Sequence, residues 1–327
     1  MSTVDSAAVT RPSTVLVGLI GEGVTPSLTP PMHELEGARH GMHYVYRTID
    51  LAPEEGTPGH LQGLLDAARR LGFTGLNITH PVKQAVLPLL DDLAPSARAV
   101  GAVNTVLFTD SGAIGHNTDV TGFGAALRDA FGTERLGRVV MVGAGGAGAA
   151  VASALTAHPI GELMIIDQDE ARAQHLAERS AHADGPVVRA APIDALAVSL
   201  AEADLVVNAT PVGMAAHPGT PFDPDALPAS IRVADIVYRP AETALLRAAT
   251  ARGIRTMSGL GMAMHQAADA FEIFTGRRAD RTAMLADLND LVRAEAAASD
   301  SRSGASDSAP GASERTPDAP RERGENR

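Results

Sequence analysis

Short apolar runs alternate with amphipathic stretches over most of the chain. The apolar runs predict buried β-strands, and apolar residues spaced three or four positions apart predict helices. Strands are predicted at 14–21, 44–51, 75–79, 139–142, 163–166, 187–191, 204–209 and 233–237, and helices at 30–42, 60–71, 82–93, 149–157, 170–182, 193–203, 262–274 and 278–298. This alternation predicts an α/β fold with mainly parallel sheets.

Some segments depart from this pattern. The segment 96–119 is polar and rich in Gly, Asn and Thr, which predicts a loop. The segment 121–131 is predicted to link that loop to the second half of the chain. Residues 1–12 are polar and turn-prone, and residues 298–327 hold almost nothing apolar, so both ends are predicted to be disordered.

A glycine-rich stretch lies near the middle of the chain. The apolar run 139–142 leads into Gly143, Gly145, Gly146, Ala147 and Gly148, with three glycines at the spacing G-x-G-x-x-G. In a dinucleotide-binding turn, the first glycine permits the tight turn, the second lets the backbone approach a pyrophosphate, and the third allows close helix–strand packing. Such a turn can also serve packing alone, but a strand, a helix and a following acid in this order favour dinucleotide binding.

Asp167 closes the next apolar run, where a ribose-binding acid is expected. Its carboxylate would repel a 2′-phosphate, which favours NAD over NADP as the cofactor. Arg172 lies close enough in sequence to weaken that preference. Asp is also common as a turn residue at strand ends, so this second interpretation of Asp167 stays open.

Composition and charge exclude several classes of protein. The chain has 327 residues, enough for about two domains, and its formal charge of −12 argues against a nucleic-acid partner. We expect no membrane span and no signal peptide, because no suitable apolar run is present. The absence of cysteine removes disulfides, thiolate nucleophiles and Cys-based zinc sites, and it fits a cytoplasmic location.

The first half holds the candidates for proton transfer. Lys83 lies at the start of a predicted helix, where the helix dipole disfavours lysine, and Asp119 lies in a polar segment without a structural pattern. In a dry cleft, a Lys–Asp pair could pass a proton to or from a substrate hydroxyl. Taken alone, each residue is more often a solvated surface charge.

Other polar residues are candidates for binding. Ser27 and Thr29 place two hydroxyls on one side of an extended segment, which suits a carboxylate or a polyol, although both are also ordinary turn or cap residues. Gln266 lies at the edge of a predicted buried helix face, from which it could project into a cleft. The three histidines His33, His40 and His43 match no standard ligand spacing, so we expect no metal.

Taken together, these residues resemble the shikimate dehydrogenase family from about residue 15 to residue 275. The resemblance rests on Ser27-x-Thr29-Pro30-x-x-His33, Gly75-Leu76-Asn77-Ile78-Thr79-x-Pro81-x-Lys83, Gly101-Ala102-Val103-Asn104-Thr105, Asn117-Thr118-Asp119-x-x-Gly122, the glycine-rich turn, Asn208-Ala209-Thr210-Pro211-x-Gly213-Met214, Asp235-x-Val237-Tyr238-x-Pro240 and Gly259-x-x-Met262-x-x-x-Gln266-x-x-x-x-Phe271. So many motifs in one order form a specific signal.

The resemblance implies two α/β domains with a cleft between them. A mainly parallel substrate domain would comprise 13–120 and 260–297, and a Rossmann dinucleotide-binding domain would be inserted at 121–259. Lys83 and Asp119 would be the catalytic pair. The substrate would be held by Ser27, Thr29, Thr79, Asn104, Tyr238 and Gln266, and the cofactor by the glycine-rich turn, Asp167, Arg172, Thr210, Val237 and Met262.

Two departures from the usual family pattern bear on function. Biosynthetic members usually have Ser-x-Ser where this chain has Ser27-x-Thr29, and an Asn-Arg-Thr type of sequence where it has 167–169 as Asp-Gln-Asp. Both departures resemble the quinate/shikimate dehydrogenase branch, which uses NAD in catabolism. Quinate carries an extra C1 hydroxyl, so Thr29 bears on substrate choice. We expect a monomer or homodimer that reversibly oxidises the C3 hydroxyl of quinate or shikimate with NAD.

Two alternatives remain open. One is an NADP-linked biosynthetic shikimate dehydrogenase, or a relative that acts on an aminated analogue. The other is a non-catalytic metabolite sensor on the same fold. Retention of both Lys83 and Asp119, without a DNA-binding appendage or basic patch, speaks against the sensor.

Overall fold

The computed structural model describes residues 14–306 and has two six-stranded sheets. The strands are β1 (Thr14–Gly21), β2 (His43–Asp50), β3 (Gly75–Ile78), β4 (Asp92–Leu93), β5 (Thr105–Thr109), β6 (Gly112–His116), β7 (Leu136–Val142), β8 (Ile160–Ile166), β9 (Val187–Ala191), β10 (Leu205–Asn208), β11 (Arg232–Asp235) and β12 (Arg255–Met257). The helices are α1 (Thr29–Arg39), α2 (Pro58–Arg70), α3 (Pro95–Val100), α4 (Thr118–Phe131), α5 (Gly146–Thr156), α6 (Glu170–Ser180), α7 (Leu196–Ala201), α8 (Ala244–Ala251), α9 (Gly259–Thr275) and α10 (Arg281–Ser306). The predicted two-domain α/β fold is confirmed.

The first sheet has the strand order β2-β1-β3-β5-β6-β4. Its strands β2, β1 and β3 are parallel, whereas β5 pairs antiparallel with both β3 and β6. A two-residue turn at Asp110 and Ser111 joins β5 to β6 in a hairpin. The loop predicted at 96–119 is therefore wrong. The pattern concealed the hairpin because β6 has the sequence GAIGH, in which glycines weaken the strand signal.

The helix predicted at 82–93 is also wrong. This segment forms turns, a short 3-10 helix at Leu87–Leu89 and strand β4. Val82 and Val86 are buried in the core of the first sheet, so their four-residue spacing imitates a helix face. Pro88 lacks the N–H group that an α-helix would need.

Two further boundaries differ from expectation. The predicted linker 121–131 belongs to α4, which begins at Thr118. Helix α10 runs to Ser306, so the first part of the predicted tail has a helical backbone, in keeping with the high helix propensity of the Ala-rich stretch 294–298. Residues 1–12 and 307–327, both predicted to be disordered, lie outside the described residues.

The second sheet is parallel throughout and has the order β12-β11-β10-β7-β8-β9. Counted from β7, this is the doubly wound order of dinucleotide-binding sheets, 6-5-4-1-2-3. Along β7, Val139 and Met141 belong to one hydrophobic core while Val140 and Val142 belong to another, so layers cover both faces. Ligands bind such sheets beyond the carboxyl ends of the strands where the order reverses, which here is between β7 and β10.

Helix α9 packs into one hydrophobic core of each sheet. Met262 packs into a core of the second sheet, while Met264 and Phe271 pack into a core of the first sheet. Helix α9 also crosses α4 closely, since a Cβ at Gly122 would lie 2.9 Å from the Cβ of Gln266. This crossing holds the start of α4 beside the middle of α9. No helix within residues 14–306 has both the length and the apolar character required to cross a bilayer.

Candidate active site

A cleft cavity of about 430 Å³ gathers residues from both sheets. Its lining includes ten of the predicted site residues, which are Ser27, Thr29, Thr79, Lys83, Asn104, Asp119, Ala147, Tyr238, Met262 and Gln266. The other predicted residues lie around the glycine-rich turn and at the carboxyl ends of neighbouring strands. The cavity is large enough for a small polar molecule next to a flat ring.

Lys83 and Asp119 are in direct contact in this cavity. Lys83 Nζ donates a hydrogen bond to Asp119 Oδ2 at 2.6 Å, and the two side chains are 22% and 13% exposed. The Lys83 carbonyl accepts a hydrogen bond from the Val103 N–H at 2.9 Å, which fixes its turn. Asp119 lies in the first turn of α4, where the helix dipole favours a carboxylate. The two residues predicted as a catalytic pair are thus brought together, and their role stays a prediction.

Asn104 holds the other oxygen of the Asp119 carboxylate. Its Nδ2 donates to Asp119 Oδ1 at 3.0 Å and to Thr118 Oγ1 at 2.9 Å. Asn117 caps α4, because its Oδ1 accepts hydrogen bonds from the N–H groups of Asp119 at 3.1 Å and Val120 at 3.3 Å. The carboxylate of Asp119 is therefore oriented from two sides, with Oδ2 directed at Lys83.

Hydroxyl and amide groups surround this pair. Ser27 and Thr29 lie at the start of α1, and Ser27 Oγ accepts a hydrogen bond from the Thr29 N–H at 3.2 Å. Thr79 directly follows β3, and Tyr238 lies in the loop after β11. Gln266 Nε2 donates to the carbonyl of Ala263 in its own helix at 3.1 Å. Such a lining suits a small molecule that carries several hydroxyls.

The glycine-rich turn has the shape required to hold a pyrophosphate. Gly143 has φ of +106°, and a Cβ on Gly148 would lie 2.5 Å from the Gly143 carbonyl oxygen. A Cβ on Gly145 or Gly146 would have no neighbour within 4 Å. No side chain caps α5, so the N–H groups of its first turn are available to phosphate oxygens. The residues present therefore fit a dinucleotide.

Asp167 lies beside this turn at the end of β8. Its Oδ2 accepts a hydrogen bond from the Ala144 N–H at 2.6 Å, and its Oδ1 accepts one from the Asp169 N–H at 2.9 Å. A carboxylate can accept about four hydrogen bonds, so positions remain for ribose hydroxyls. The guanidinium of Arg172 is 3.9 Å from Asp167 Oδ1 and 3.5 Å from Asp169 Oδ2. This edge of the site is thus occupied by two acids that share one arginine.

A buried polar network joins the loops that follow β10 and β11. The Thr210 hydroxyl donates to Asn208 Oδ1 at 2.7 Å, and Asn208 Nδ2 donates to Asp235 Oδ1 at 2.9 Å. The same Asp235 oxygen accepts a hydrogen bond from the Val237 N–H at 3.0 Å. Burial raises the pKa of Asp235. Sequence reasoning placed Thr210 and Val237 in the site but gave no role to Asn208 and Asp235, which it named only as motif residues, although a polar residue at the end of an apolar strand was a visible signal.

Sequence reasoning gave no site role to three further cavity residues, although two of them, Asn77 and Met214, belong to the motifs quoted above, and it missed one compositional signal. Asn77, Met214 and Arg239 line the cavity, and Arg239 Nη1 donates to the Pro26 carbonyl at 3.1 Å. Lys83 is the only lysine among the 27 Lys and Arg residues of the chain. Arginine does not give up its proton in proteins, whereas lysine can. The single lysine of the chain thus lies in the cavity, beside Asp119.

The three histidines considered for a metal have other surroundings. His33 is buried with its Nδ1 3.0 Å from the Tyr44 hydroxyl, and burial lowers its pKa to about 3. His40 pairs with Glu36 at 3.1 Å, and His43 is exposed. Between residues 14 and 306, no group of three or more His, Asp or Glu side chains is arranged to hold a metal ion.

Family models match three successive parts of the chain. Residues 19–106 match the shikimate dehydrogenase substrate binding domain, 127–215 match shikimate / quinate 5-dehydrogenase, and 259–288 match the shikimate 5′-dehydrogenase C-terminal domain. The first match covers most of the first sheet, and the second covers the strands around the glycine-rich turn.

Individual relatives match nearly end to end. The chain is 51% identical over 283 residues to shikimate dehydrogenase (NADP(+)) of Streptomyces avermitilis, covering 86% of this chain and 97% of that one. It is 50% identical over 268 residues to quinate/shikimate dehydrogenase (NAD(+)) of Corynebacterium efficiens, covering 81% and 94%. The solved structure of quinate dehydrogenase from Corynebacterium glutamicum in complex with NAD matches with a TM-score of 0.80 and 48% identity, covering 85% and 99%. Relatives named for NAD and for NADP are therefore equally similar.

Proposed function

This chain belongs to the shikimate dehydrogenase family, and from that premise we propose that it is an NAD-dependent quinate/shikimate dehydrogenase. It would oxidise the C3 hydroxyl of quinate or shikimate to the ketone of 3-dehydroquinate or 3-dehydroshikimate, reversibly. The observation that carries this proposal is the contact of Lys83 with Asp119 at 2.6 Å, inside a cavity that reaches Ala147 of the glycine-rich turn.

The proposed reaction removes a hydride from carbon and a proton from oxygen. When bound, the nicotinamide ring accepts the hydride. Lys83 accepts the hydroxyl proton as the C–H bond breaks and later passes it to solvent, so the balance is alcohol plus NAD⁺ to ketone plus NADH plus one proton. Asp119 holds the Lys83 amine in place and stabilises its protonated form. In the reverse direction, Lys83 returns the proton to the developing alkoxide.

The surrounding polar groups would hold the substrate. We assign the substrate's carboxylate to Ser27 and Thr29, and its ring hydroxyls to Thr79, Asn104, Tyr238 and Gln266, which all line the cavity. Gln266 would exchange its hydrogen bond to Ala263 for one to the substrate. Residues 13–120 and 260–297 would form the substrate domain, and residues 121–259 the cofactor domain.

The choice of NAD is supported by Asp167 and Asp169. A 2′-phosphate at this edge would meet two carboxylates, whose negative charge Arg172 offsets in part. Arg172 already faces both acids, and its side chain is 54% exposed. Since ribose hydroxyls donate hydrogen bonds to carboxylates without repulsion, the edge favours NAD. Val237 and Met262 would lie against the nicotinamide, next to the loop that Thr210 stabilises.

The second candidate is an NADP-dependent shikimate dehydrogenase, which the similarity to the Streptomyces relative favours. Initial rates at one pH for quinate or shikimate, each with NAD⁺ or NADP⁺, distinguish the two. Our proposal predicts activity on both acids with NAD⁺ and little with NADP⁺. Activity on shikimate alone with NADP⁺ would establish the second candidate, and no activity in any pairing would contradict both.

A further inference from the structure

A chain of buried hydrogen bonds leads from Tyr46 on β2 to the carboxylate of Asp119. The Tyr46 hydroxyl donates to Asn77 Oδ1 at 2.6 Å, and Asn77 Nδ2 donates to Thr105 Oγ1 at 2.9 Å. Thr105 Oγ1 then donates to Asn104 Oδ1 at 3.0 Å, and Asn104 Nδ2 donates to Asp119 Oδ1 at 3.0 Å. The four residues before Asp119 are all buried. The first three links therefore join buried residues, and the last link reaches the partly exposed Asp119 in the cavity.

The register of the first sheet brings these side chains to one face. Asn77 on β3 lies opposite Thr105 on β5 and opposite Leu19 on β1. Tyr46 on β2 lies opposite Val17, two residues before Leu19. Side chains two positions apart on a strand point to the same face, so Tyr46 reaches Asn77 diagonally across β1. Only a long side chain can bridge that distance, and tyrosine ends in a hydroxyl.

The direction of donation along the chain is fixed by a backbone group. The Thr118 N–H can only donate, and it donates to Asn104 Oδ1 at 2.8 Å. The amide nitrogen of Asn104 is then left for the carboxylate of Asp119. Because Thr105 gives its single proton to Asn104 Oδ1, it must accept from the amide nitrogen of Asn77. Asn77 therefore presents its oxygen to Tyr46, whose hydroxyl must donate.

We propose that Tyr46 is a positioning residue for the reaction, although it does not line the cavity. Its hydroxyl completes a one-way chain of donors that ends on Asp119 Oδ1 and leaves Oδ2 for Lys83. Without this hydroxyl, Asn77 Oδ1 loses its donor, and the hydrogen-bonded chain behind Asp119 loses its first member and the polarisation that this member passes along the chain. The inference rests on the proposed function, since it assumes that Asp119 acts with Lys83.

The surroundings of Tyr46 keep its hydroxyl protonated, so that it can donate a hydrogen bond. The His33 ring packs against the Tyr46 ring with centroids 5.1 Å apart and an edge-to-face angle of 68°. Burial raises the pKa of Tyr46 well above its ordinary value, so the hydroxyl stays protonated. Tyr44 belongs to the same aromatic cluster and is also buried, but its hydroxyl is bonded to His33 Nδ1 at 3.0 Å. Tyr44 therefore serves as a matched control.

The test compares Tyr46→Phe with Tyr44→Phe, each of which removes one buried hydroxyl from the same cluster. We expect Tyr46→Phe to lower kcat about tenfold, with the KM for substrate and the Kd for NAD⁺ changed less than about twofold. Tyr44→Phe should leave kcat within about twofold of the wild type. Both should lower Tm, because each leaves a buried partner without its hydrogen bond. A merely structural role would give the two variants the same kcat.

Thr105→Val provides a second measurement, since it interrupts the same chain between Asn77 and Asn104. If Tyr46 acts through Thr105, adding Tyr46→Phe to Thr105→Val should change kcat by less than about twofold. Independent effects would instead multiply. The role of Tyr46 is overturned if Tyr46→Phe keeps the wild-type kcat, or if the kcat losses multiply in the double variant. A wild type inactive with every pairing of acid and cofactor would instead overturn the proposed function, and the inference with it.

Discussion

Asp167 and Ala144 tie the end of β8 to the glycine-rich turn, because the Ala144 N–H donates to Asp167 Oδ2 at 2.6 Å. The same carboxylate lies where the cofactor's ribose is expected. Asp167 therefore supports the turn and is also proposed to select the cofactor. A test of selection must separate these two contributions.

Asp167→Ala should reduce the preference for NAD⁺ over NADP⁺ by at least about tenfold in the ratio of kcat/KM values. The substitution removes a carboxylate that repels a 2′-phosphate and that can accept hydrogen bonds from the ribose hydroxyls of NAD⁺. Asp204→Ala is the matched control. Asp204 Oδ2 also accepts from backbone N–H groups, those of Gly137 at 2.6 Å and Arg138 at 3.1 Å, but at the opposite end of β7. An unchanged NAD⁺/NADP⁺ ratio in Asp167→Ala would show that Asp167 does not contact the ribose.

Gly145 and Gly148 should respond to alanine in different ways. A Cβ at Gly145 would have no neighbour within 4 Å, so Gly145→Ala should fold normally. Because the pyrophosphate must approach this backbone closely, the added methyl group should raise the Kd for NAD⁺ about tenfold. A Cβ at Gly148 would lie 2.5 Å from the Gly143 carbonyl oxygen, so Gly148→Ala should cost about 1–3 kcal/mol of unfolding free energy. Thermal melts and NAD⁺ calorimetry on both variants check this, and tight NAD⁺ binding by Gly145→Ala would contradict the assignment.

Local sequence signals predicted five of the six strands of the second sheet, but they missed β12 and the helix α8 that precedes it. The strands β7, β8 and β10 each contain a short apolar run, because hydrophobic cores cover both of their faces, and Gly143 marks the turn after β7. The glycine spacing and the acid at the end of β8 then indicated the cofactor edge. These features depend on residues close in sequence, so a pattern could reveal them.

The contact between Asn104 and Asp119 could not be predicted from a local sequence pattern. It depends on the β5–β6 hairpin, in which Thr105 pairs with His116 and so brings Asn104 beside the start of α4. Glycines in β6 hid that hairpin in the sequence. Tyr46 was missed for a related reason, because its partner Asn77 lies across an intervening strand.

Burial of His33 should make folding sensitive to acid. Burial lowers its pKa to about 3, whereas an unfolded histidine titrates near 6.5. Between these values the unfolded chain binds the extra proton, so this contribution to stability is complete above about pH 6.5 and is lost as the pH falls towards 3, at up to about 1.4 kcal/mol per pH unit.

Denaturant melts of His33→Gln between pH 4 and pH 7 should therefore show a shallower fall of the unfolding free energy than the wild type shows. His43→Gln replaces an exposed histidine and should keep the wild-type slope. Equal slopes for the wild type and His33→Gln would contradict the burial argument.

Lys83 is the central residue of the proposed mechanism, and two variants distinguish the effect of its positive charge from the effect of its transferable proton. Lys83→Arg keeps a cation beside Asp119 but cannot release a proton, so it should lose about as much kcat as Lys83→Ala. If charge alone mattered, Lys83→Arg would retain most of its turnover. Both variants keep Asp119, so each differs from the wild type at position 83 alone.

The most direct single measurement is kcat for Lys83→Ala with quinate or shikimate, with the Kd for NAD⁺ determined by calorimetry on the same preparation. We expect kcat to fall about 10²–10⁴-fold with the Kd changed less than about twofold, because Lys83 is proposed to contact the reacting hydroxyl and not the pyrophosphate. A variant that binds NAD⁺ normally and keeps more than about a tenth of the wild-type kcat would contradict the assignment of proton transfer to Lys83.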